Sequence, residues 1–342
     1  MRKNKLEQWM AGRCPMGLGE FTSLALMHPE YGYYTNRDPF GVDGDFITAP
    51  EISQIFGEVI GAWVIDIWMQ MGSPSSFNLI EAGAGRGTLM ADIMRISNIA
   101  GGFESAAQIC LIEASDLLKG KQRAALNNHK VTWYDAISDI DVDKPCIILG
   151  NEFLDALPIE QLRRSSDGWQ KRVIIAVDDN EFKFDWVRAE KELVTLLPSK
   201  TVSNEIYEVA PIRLEFVNEC EALIKAHGGA ALFIDYGYTK SHHGDTLQAI
   251  KNHKFVNVLE DIGSCDITSH VDFEALSAHV GLNVTPVVTQ AHFLKSLGIE
   301  QRAKAICANE MDLNRLVGED QMGELFKVIC FYHGNNLTPA GF

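Results

Sequence analysis

No apolar run in this 342-residue chain approaches the ~18 residues that a membrane-spanning helix needs, so no segment reads as a membrane span. Positive charge is also short. The 30 Lys and Arg residues stand against 46 Asp and Glu, a net charge of −16. Such a surface repels phosphate backbones, which disfavours a nucleic-acid substrate and suits a basic partner. Paired cysteines are missing. Cys14, Cys110, Cys146, Cys220, Cys265, Cys307 and Cys330 are scattered with no C-x-x-C spacing, and they read as buried free thiols in a reducing compartment. The His242-His243 pair has no further ligand at a motif spacing, so no metal site is expected. The basic opening Met1-Arg-Lys-Asn-Lys lacks a following apolar core and does not read as a signal peptide. Internal repeats and low-complexity tracts are absent as well. The length and the 46% hydrophobic content allow one large α/β domain with insertions, or two smaller domains.

Three glycines at alternate positions organise what is there. The stretch Glu81-Ala-Gly83-Ala-Gly85-Arg-Gly87-Thr88 follows an apolar run that reads as a buried strand. It leads into a helical pattern with Leu89, Met90, Ile93 and Met94 on one face and Thr88 as the expected N-cap. Strand, glycine turn and helix open a nucleotide-binding βαβ unit, in which the backbone turns sharply and approaches the ligand closely. The dinucleotide fingerprint G-x-G-x-x-G would place a glycine at Thr88. The alternate spacing instead looks like the first motif of S-adenosylmethionine methyltransferases, which would put Glu81 near the methionine moiety. A second apolar strand, Gln108-Ile-Cys-Leu-Ile-Glu113, ends in an acid placed to accept from both ribose hydroxyls. The glycines alone also suit a ligand-free strand–helix turn.

From residue 77 the pattern is regular: strands at 77–82, 108–113, 131–134 and 145–150, with helices at 88–97 and 116–126, the order of a doubly wound parallel sheet. Just past the fourth strand stands Asn151-Glu152-Phe-Leu-Asp155-Ala-Leu-Pro158, where open α/β sheets place their ligands. Residues 161–187 read as an inserted antiparallel meander. Residues 205–226 read as a helix with its true start near 209, because of Pro211. A strand ends at Asp235, residues 238–270 read as loops, and a helix is expected over 271–280. A strand over 284–288, helices over 291–315 and an antiparallel last strand over 323–332 complete the set. Ahead of the sheet lie helical residues 5–27, a polar-aromatic loop over 28–53 and a helix over 56–71. Glycines, prolines, aromatics and acids at that density suit an ordered functional loop, expected to close over the ligand. A plain packing arm is the alternative. The chain is thus expected to divide at about 1–75 and 76–342, with insertions at about 160–190 and 238–320.

The strings Gly44-Asp-Phe-Ile-Thr-Ala-Pro-Glu51-Ile-Ser53, Gly85-Arg-Gly-Thr-Leu-Met90, Asn151-Glu-Phe-Leu-Asp-Ala-Leu-Pro158, Asp235-Tyr-Gly237, Gly244-Asp-Thr-Leu247 and His270-Val-Asp-Phe273 resemble the MidA-type methyltransferases. This is a bacterial and mitochondrial family, whose mitochondrial member is a complex I assembly factor. The resemblance runs from about Leu24 to Val328. It implies a class I methyltransferase fold, S-adenosylmethionine as cofactor and arginine methylation in a respiratory complex I subunit. It also implies a location in the bacterial cytoplasm or the mitochondrial matrix. Ala84 departs from the family's usual proline but keeps the backbone amides, and Leu154 replaces a usual aromatic. On this reading Glu81, Gly83, Gly85, Gly87, Glu113 and Asn151 hold the cofactor. A guanidinium acceptor needs carboxylates to orient it; Glu152 and Asp155 are the leading candidates, sharing a face if their loop is helical, with Glu51 weaker and Glu208 possible. Asp235 reads as a structural acid, and His28 and His270 as loop-bracing groups. A NAD-dependent oxidoreductase, a small-molecule methyltransferase and a non-catalytic assembly factor with a retained pocket are the competing readings.

Overall fold

The computed structural model describes residues 5–37, 47–140, 143–178, 181–334 and 336–342. In chain order the main elements begin with α1 (Lys5–Ala11), α2 (Leu18–Met27) and α3 (Gln54–Gln70). The alternating region holds β1 (Phe77–Ala82), α4 (Thr88–Arg95), β2 (Ala107–Ile112), α5 (Asp116–Ala125), β3 (Val131–Tyr134) and β4 (Cys146–Asn151). Next come β5 (Glu160–Ser165), β6 (Gly168–Asp178), β7 (Glu181–Arg188), β8 (Ile206–Val209), α6 (Pro211–His227) and β9 (Gly229–Tyr238). The C-terminal part contains β10 (Gln248–Lys251), β11 (Lys254–Val256), β12 (Asp266–Thr268), α7 (Phe273–His279), α8 (Gln290–Ser296), α9 (Ile299–Ala305), α10 (Glu310–Val317) and β13 (Phe326–His333).

The central sheet runs in the order β13-β9-β4-β1-β2-β3, parallel throughout except for β13, which is antiparallel to β9. The strands are apolar on both faces because helices cover both. Alternate residues feed two cores. Leu79, Ile109, Leu111, Ile147, Leu149 and Leu232 join α3, α4 and α8 to α10 on one side. On the other, Ile80, Cys110, Ile148, Phe233 and Phe331 meet α6 and α7. Each fully buried Val, Leu, Ile or Phe contributes about 1.5–3 kcal/mol. Helix α3 approaches α4 closely at Gly57, where a Cβ would lie 2.4 Å from that of Asp92. None of the seven cysteines is in a disulfide, and five are buried. Among the described residues no helix is long and apolar enough to cross a membrane.

Three expectations change, and a third core is added. The 205–226 segment is a strand, β8, followed by a helix that starts at Pro211, since proline fits the first helical turn and β8 pairs with β5. The expected meander therefore gains β8 and Met16–Gly17 as partners. Within the expected loops of 238–270, β10, β11 and β12 form a three-stranded antiparallel sheet. Its hairpin turns at Asn252 and His253, both at positive φ (50° and 59°), without the glycine that usually announces such a turn. The expected 284–288 strand is two short pieces, Asn283–Val284 and Val288–Thr289, both paired to β13. Finally, α1 and α2 pack on the inserted sheets in a third core that includes Leu6, Phe21, Ile159, Ile174 and Ile267.

Candidate active site

The turn after β1 places its three glycines at φ of 68°, 53° and 83° for Gly83, Gly85 and Gly87, a region side chains avoid. The Gly83 amide donates to the Ile112 carbonyl over 3.1 Å, which ties the turn to the end of β2. A Cβ on Gly83 would lie 2.7 Å from the Phe153 ring. Left-handed Gly87 takes the N-cap position of α4, so Thr88 sits inside the helix rather than capping it. The Thr88 hydroxyl donates instead to Glu51, whose other oxygen stands 3.5 Å from Arg86 Nη1. Glu51 thus braces the turn.

Two cavities share Gly83, Gly85 and Glu152 in their walls. The larger, of about 250 Å³, is lined by Tyr34, Glu113, Leu118, Asp135 and Phe153 among others. Buried Glu113 accepts from the Ser115 amide at 2.8 Å and from Gln122 Nε2 at 3.0 Å. Burial raises its pKa, and these bonds offset part of the rise. The smaller cavity brings together Glu51, Glu81, Thr88, Asn151 and Glu152. Burial, then the charge of Glu113, pushes Glu81 up to about 8. Glu81 Oε2 and Asn151 Oδ1 are buried acceptors with no hydrogen-bond partner among the described residues. Buried acceptors are costly when unpaired, and a cationic ammonium donor fits them. The cradle of glycines, the two orphaned acceptors and the strand-end acid Glu113 together fit S-adenosylmethionine.

Glu152 closes the pocket from the end of β4 in a left-handed conformation, φ 51°, which costs a non-glycine residue on the order of 1–3 kcal/mol. Its amide donates to the Ile234 carbonyl at 2.9 Å, and its Oε1 accepts from the Ala49 amide at 2.8 Å and from Asn151 Nδ2 at 3.1 Å. Burial dominates and pushes it up to about 7. The turn beyond it is not helical, so Glu152 and Asp155 do not share a helical face. The reason is Asp235, whose Oδ2 gathers the amides of Phe153, Leu154 and Asp155 at 3.2, 2.9 and 3.1 Å. Buried Arg213 holds the same turn from behind, donating to the carbonyls of Asp155 at 3.1 Å, Ser269 at 3.2 Å and His270 at 2.8 Å. Asp155 is buried too, which raises its pKa. A hydrogen bond from Tyr236 and the charge of Arg213 work against that rise.

Glu208 lies apart from these acids. It accepts from Gln161 at 2.7 Å and the Thr246 amide at 2.9 Å, in the wall of a separate cavity of about 520 Å³. His270 packs edge-on against Tyr236, 5.4 Å between centroids, with its pKa lowered by burial. His28 stacks on Tyr31 at 5.2 Å. The two described ends of the 28–53 segment reach the site through Tyr34, Ala49 and Glu51, while residues 38–46 lie outside the described residues. Sequence reading missed Tyr34, Gln122, Asp135 and Phe153. Asp135 had a signal, because it follows a strand end as Glu113 does.

A parallel sheet with an antiparallel last strand, a glycine turn after β1 and an acid after β2 define a class I S-adenosylmethionine-dependent methyltransferase. The family described as "Putative S-adenosyl-L-methionine-dependent methyltransferase" matches residues 59–288, and the chain belongs to it. It is similar to the mitochondrial protein arginine methyltransferase NDUFAF7 of Danio rerio, 34% identical over 92% of this chain and 82% of that one. It is also similar to the human protein of that name, 32% identical over 91% and 79% of the two chains. Among solved structures, a Burkholderia thailandensis protein bound to S-adenosyl-homocysteine superposes with a TM-score of 0.84, at 25% identity, covering 98% of this chain and 93% of that one. The protein is an S-adenosylmethionine-dependent methyltransferase.

Proposed function

We propose that this methyltransferase acts on an arginine side chain of a protein, within a subunit of respiratory complex I. The relatives named above are arginine methyltransferases. The observation that carries the reading is Glu152, a buried carboxylate in a left-handed backbone that faces both cavities beside the glycine turn. When bound, S-adenosylmethionine supplies a methyl carried on a sulfonium. Glu81 and Asn151 would hold its ammonium, and Glu113 its ribose hydroxyls. Glu152 would accept N–H bonds from the guanidinium and direct one nitrogen toward the methyl. Pushed up to about 7, Glu152 is also suited to take the proton that this nitrogen loses. Asp155, which lines neither cavity but whose charge acts on Glu152, would influence the acceptor through it, with Tyr236 bonded to Asp155, and Glu51 would keep the turn closed. The place of work would be the bacterial cytoplasm or the mitochondrial matrix.

The test is incubation of the purified protein with labelled methyl donor and cognate lysate, followed by identification of the labelled protein and residue. Methylarginine in a complex I subunit is the expected result. Label on another residue type or on small molecules overturns the arginine reading, and no label with intact cofactor binding favours a non-catalytic assembly role. In parallel, Glu152→Gln and Asp155→Asn should lower single-turnover methylation far more than S-adenosylhomocysteine affinity. Wild-type rates in either variant would remove that residue from the acceptor site.

A further inference from the structure

We infer that Gln122 is a positioning residue for the cofactor: one amide that fixes the glycine turn and the strand-end acid Glu113 relative to each other. Gln122 lies on α5 and is fully buried. Its Nε2 donates to the Gly85 carbonyl at 2.8 Å and to Glu113 Oε2 at 3.0 Å, and its Oε1 accepts from Trp133 Nε1 at 2.8 Å. The orientation of the amide is determined by chemistry. Trp133 Nε1 can only donate, so it must face the oxygen, which leaves the two N–H groups for two acceptors. Every hydrogen-bonding group of the amide that this geometry requires is used. Gln122 also packs against the last glycine of the turn, with its Cα 3.2 Å from where a Gly87 Cβ would stand.

Three strand ends are joined through this side chain: the turn after β1, the acid after β2 and Trp133 in β3. Gly85 stands at a φ of 53°, and its carbonyl accepts from Gln122 on α5. Glu113 is held from both sides, by the Ser115 amide on one oxygen and Gln122 on the other. A carboxylate so anchored presents its remaining lone pairs in one direction. The bond from Gln122 also favours the ionised form of Glu113 against its burial.

The test uses two substitutions with opposite electrostatic signatures, measured by calorimetry with S-adenosylhomocysteine between pH 6 and 9. Gln122→Met removes all three bonds and leaves Glu113 easier to protonate. Read against the wild-type protein at the same pH, so that the titration of neighbouring Glu81 and the charge of Lys119 are common to both, its affinity should be about tenfold to a hundredfold lower, with the deficit largest at the lowest pH. Gln122→Glu keeps an acceptor for Trp133 but sets a second carboxylate against Glu113. Its affinity should be worst at high pH and recover as pH falls, because the protonated acid regains a donor. Trp133→Phe removes one bond alone. It should cost a few-fold and provides a folded test should either Gln122 variant fail to fold. Thermal unfolding identifies the folded variants. Wild-type affinity in folded variants, or an equal loss at every pH, overturns the role of Gln122. Failure of the wild-type protein to bind S-adenosylhomocysteine would instead overturn the cofactor pocket itself.

Discussion

Glu81 carries two consequences of being buried without enough partners. Its folded pKa of about 8 exceeds the ordinary value of 4.5, so the folded state binds its proton more tightly than the unfolded chain. Stability from this group is therefore full at low pH and is lost as pH rises toward 8. Thermal unfolding of the ligand-free protein should show that loss, and Glu81→Gln should flatten it. Cofactor binding has the opposite dependence. An ammonium placed beside Glu81 favours its ionised form, so affinity should rise between about pH 6 and 7.5 with release of a proton. Calorimetry in buffers of different ionisation enthalpy reads that proton directly. A pH-independent affinity, or no proton release, would separate Glu81 from the ammonium site. At Glu113, substitution by Ala should weaken binding by about 1.5–3 kcal/mol, the range for losing hydrogen bonds to a charged group. That Gly83, Gly85, Glu81, Glu113 and Glu152 would come together around one pocket was legible in the sequence because each stands at or just past a strand end. Gln122 was not. On its own helix it is one polar residue among several, and its burial is decided by Gly87 and Trp133, which come from other elements.

The glycine turn and the segment over it act as elements rather than as single residues. Valine at position 85 must adopt a φ near 53° with a branched Cβ, which strains the turn and fills the space the ligand approaches. Gly85→Val should abolish S-adenosylhomocysteine binding in a protein that still unfolds cooperatively. Unchanged affinity would move the cofactor elsewhere. Over the turn, Ala49 holds Glu152 and Glu51 holds Thr88, so the 47–53 stretch is already anchored to the pocket at two points. Ligand in the pocket should tighten both anchors. The 28–53 segment should then be cut more slowly by protease with S-adenosylhomocysteine present, and equal cleavage rates would leave it a plain packing arm. Elements were recovered from sequence where periodicity was strong. β1, β2, β3 and β4 lie within a residue of their expected bounds, because strands buried on both faces are continuous apolar runs. β10 and β11 escaped, being short, half-polar and joined by Asn252-His253 instead of a glycine turn.

At the scale of the whole molecule, three cores among the described residues divide the work. Two of them clamp the parallel sheet and hold the strand ends that make the pocket. The third joins α1 and α2 to the inserted sheets. That third core was invisible in the sequence, because it pairs residues near Leu6 and Phe21 with partners near Ile174 and Ile267. No local pattern encodes a contact across such separations. Around all three lies a strongly acidic surface, with a net charge of −16. If the acceptor is an arginine in a basic polypeptide segment, that field should speed encounter and contribute little once the guanidinium is seated. The KM for the protein acceptor should therefore rise with salt, while kcat and S-adenosylhomocysteine affinity stay nearly constant. The Debye length shrinks from about 10 Å at 0.1 M to about 3 Å at 1 M, so the effect should be largest below roughly 0.2 M. Steady-state methylation of the labelled acceptor across that salt range provides the measurement. A KM indifferent to salt would mean that the acidic surface serves solubility and that acceptor recognition lies wholly within the pocket around Glu152.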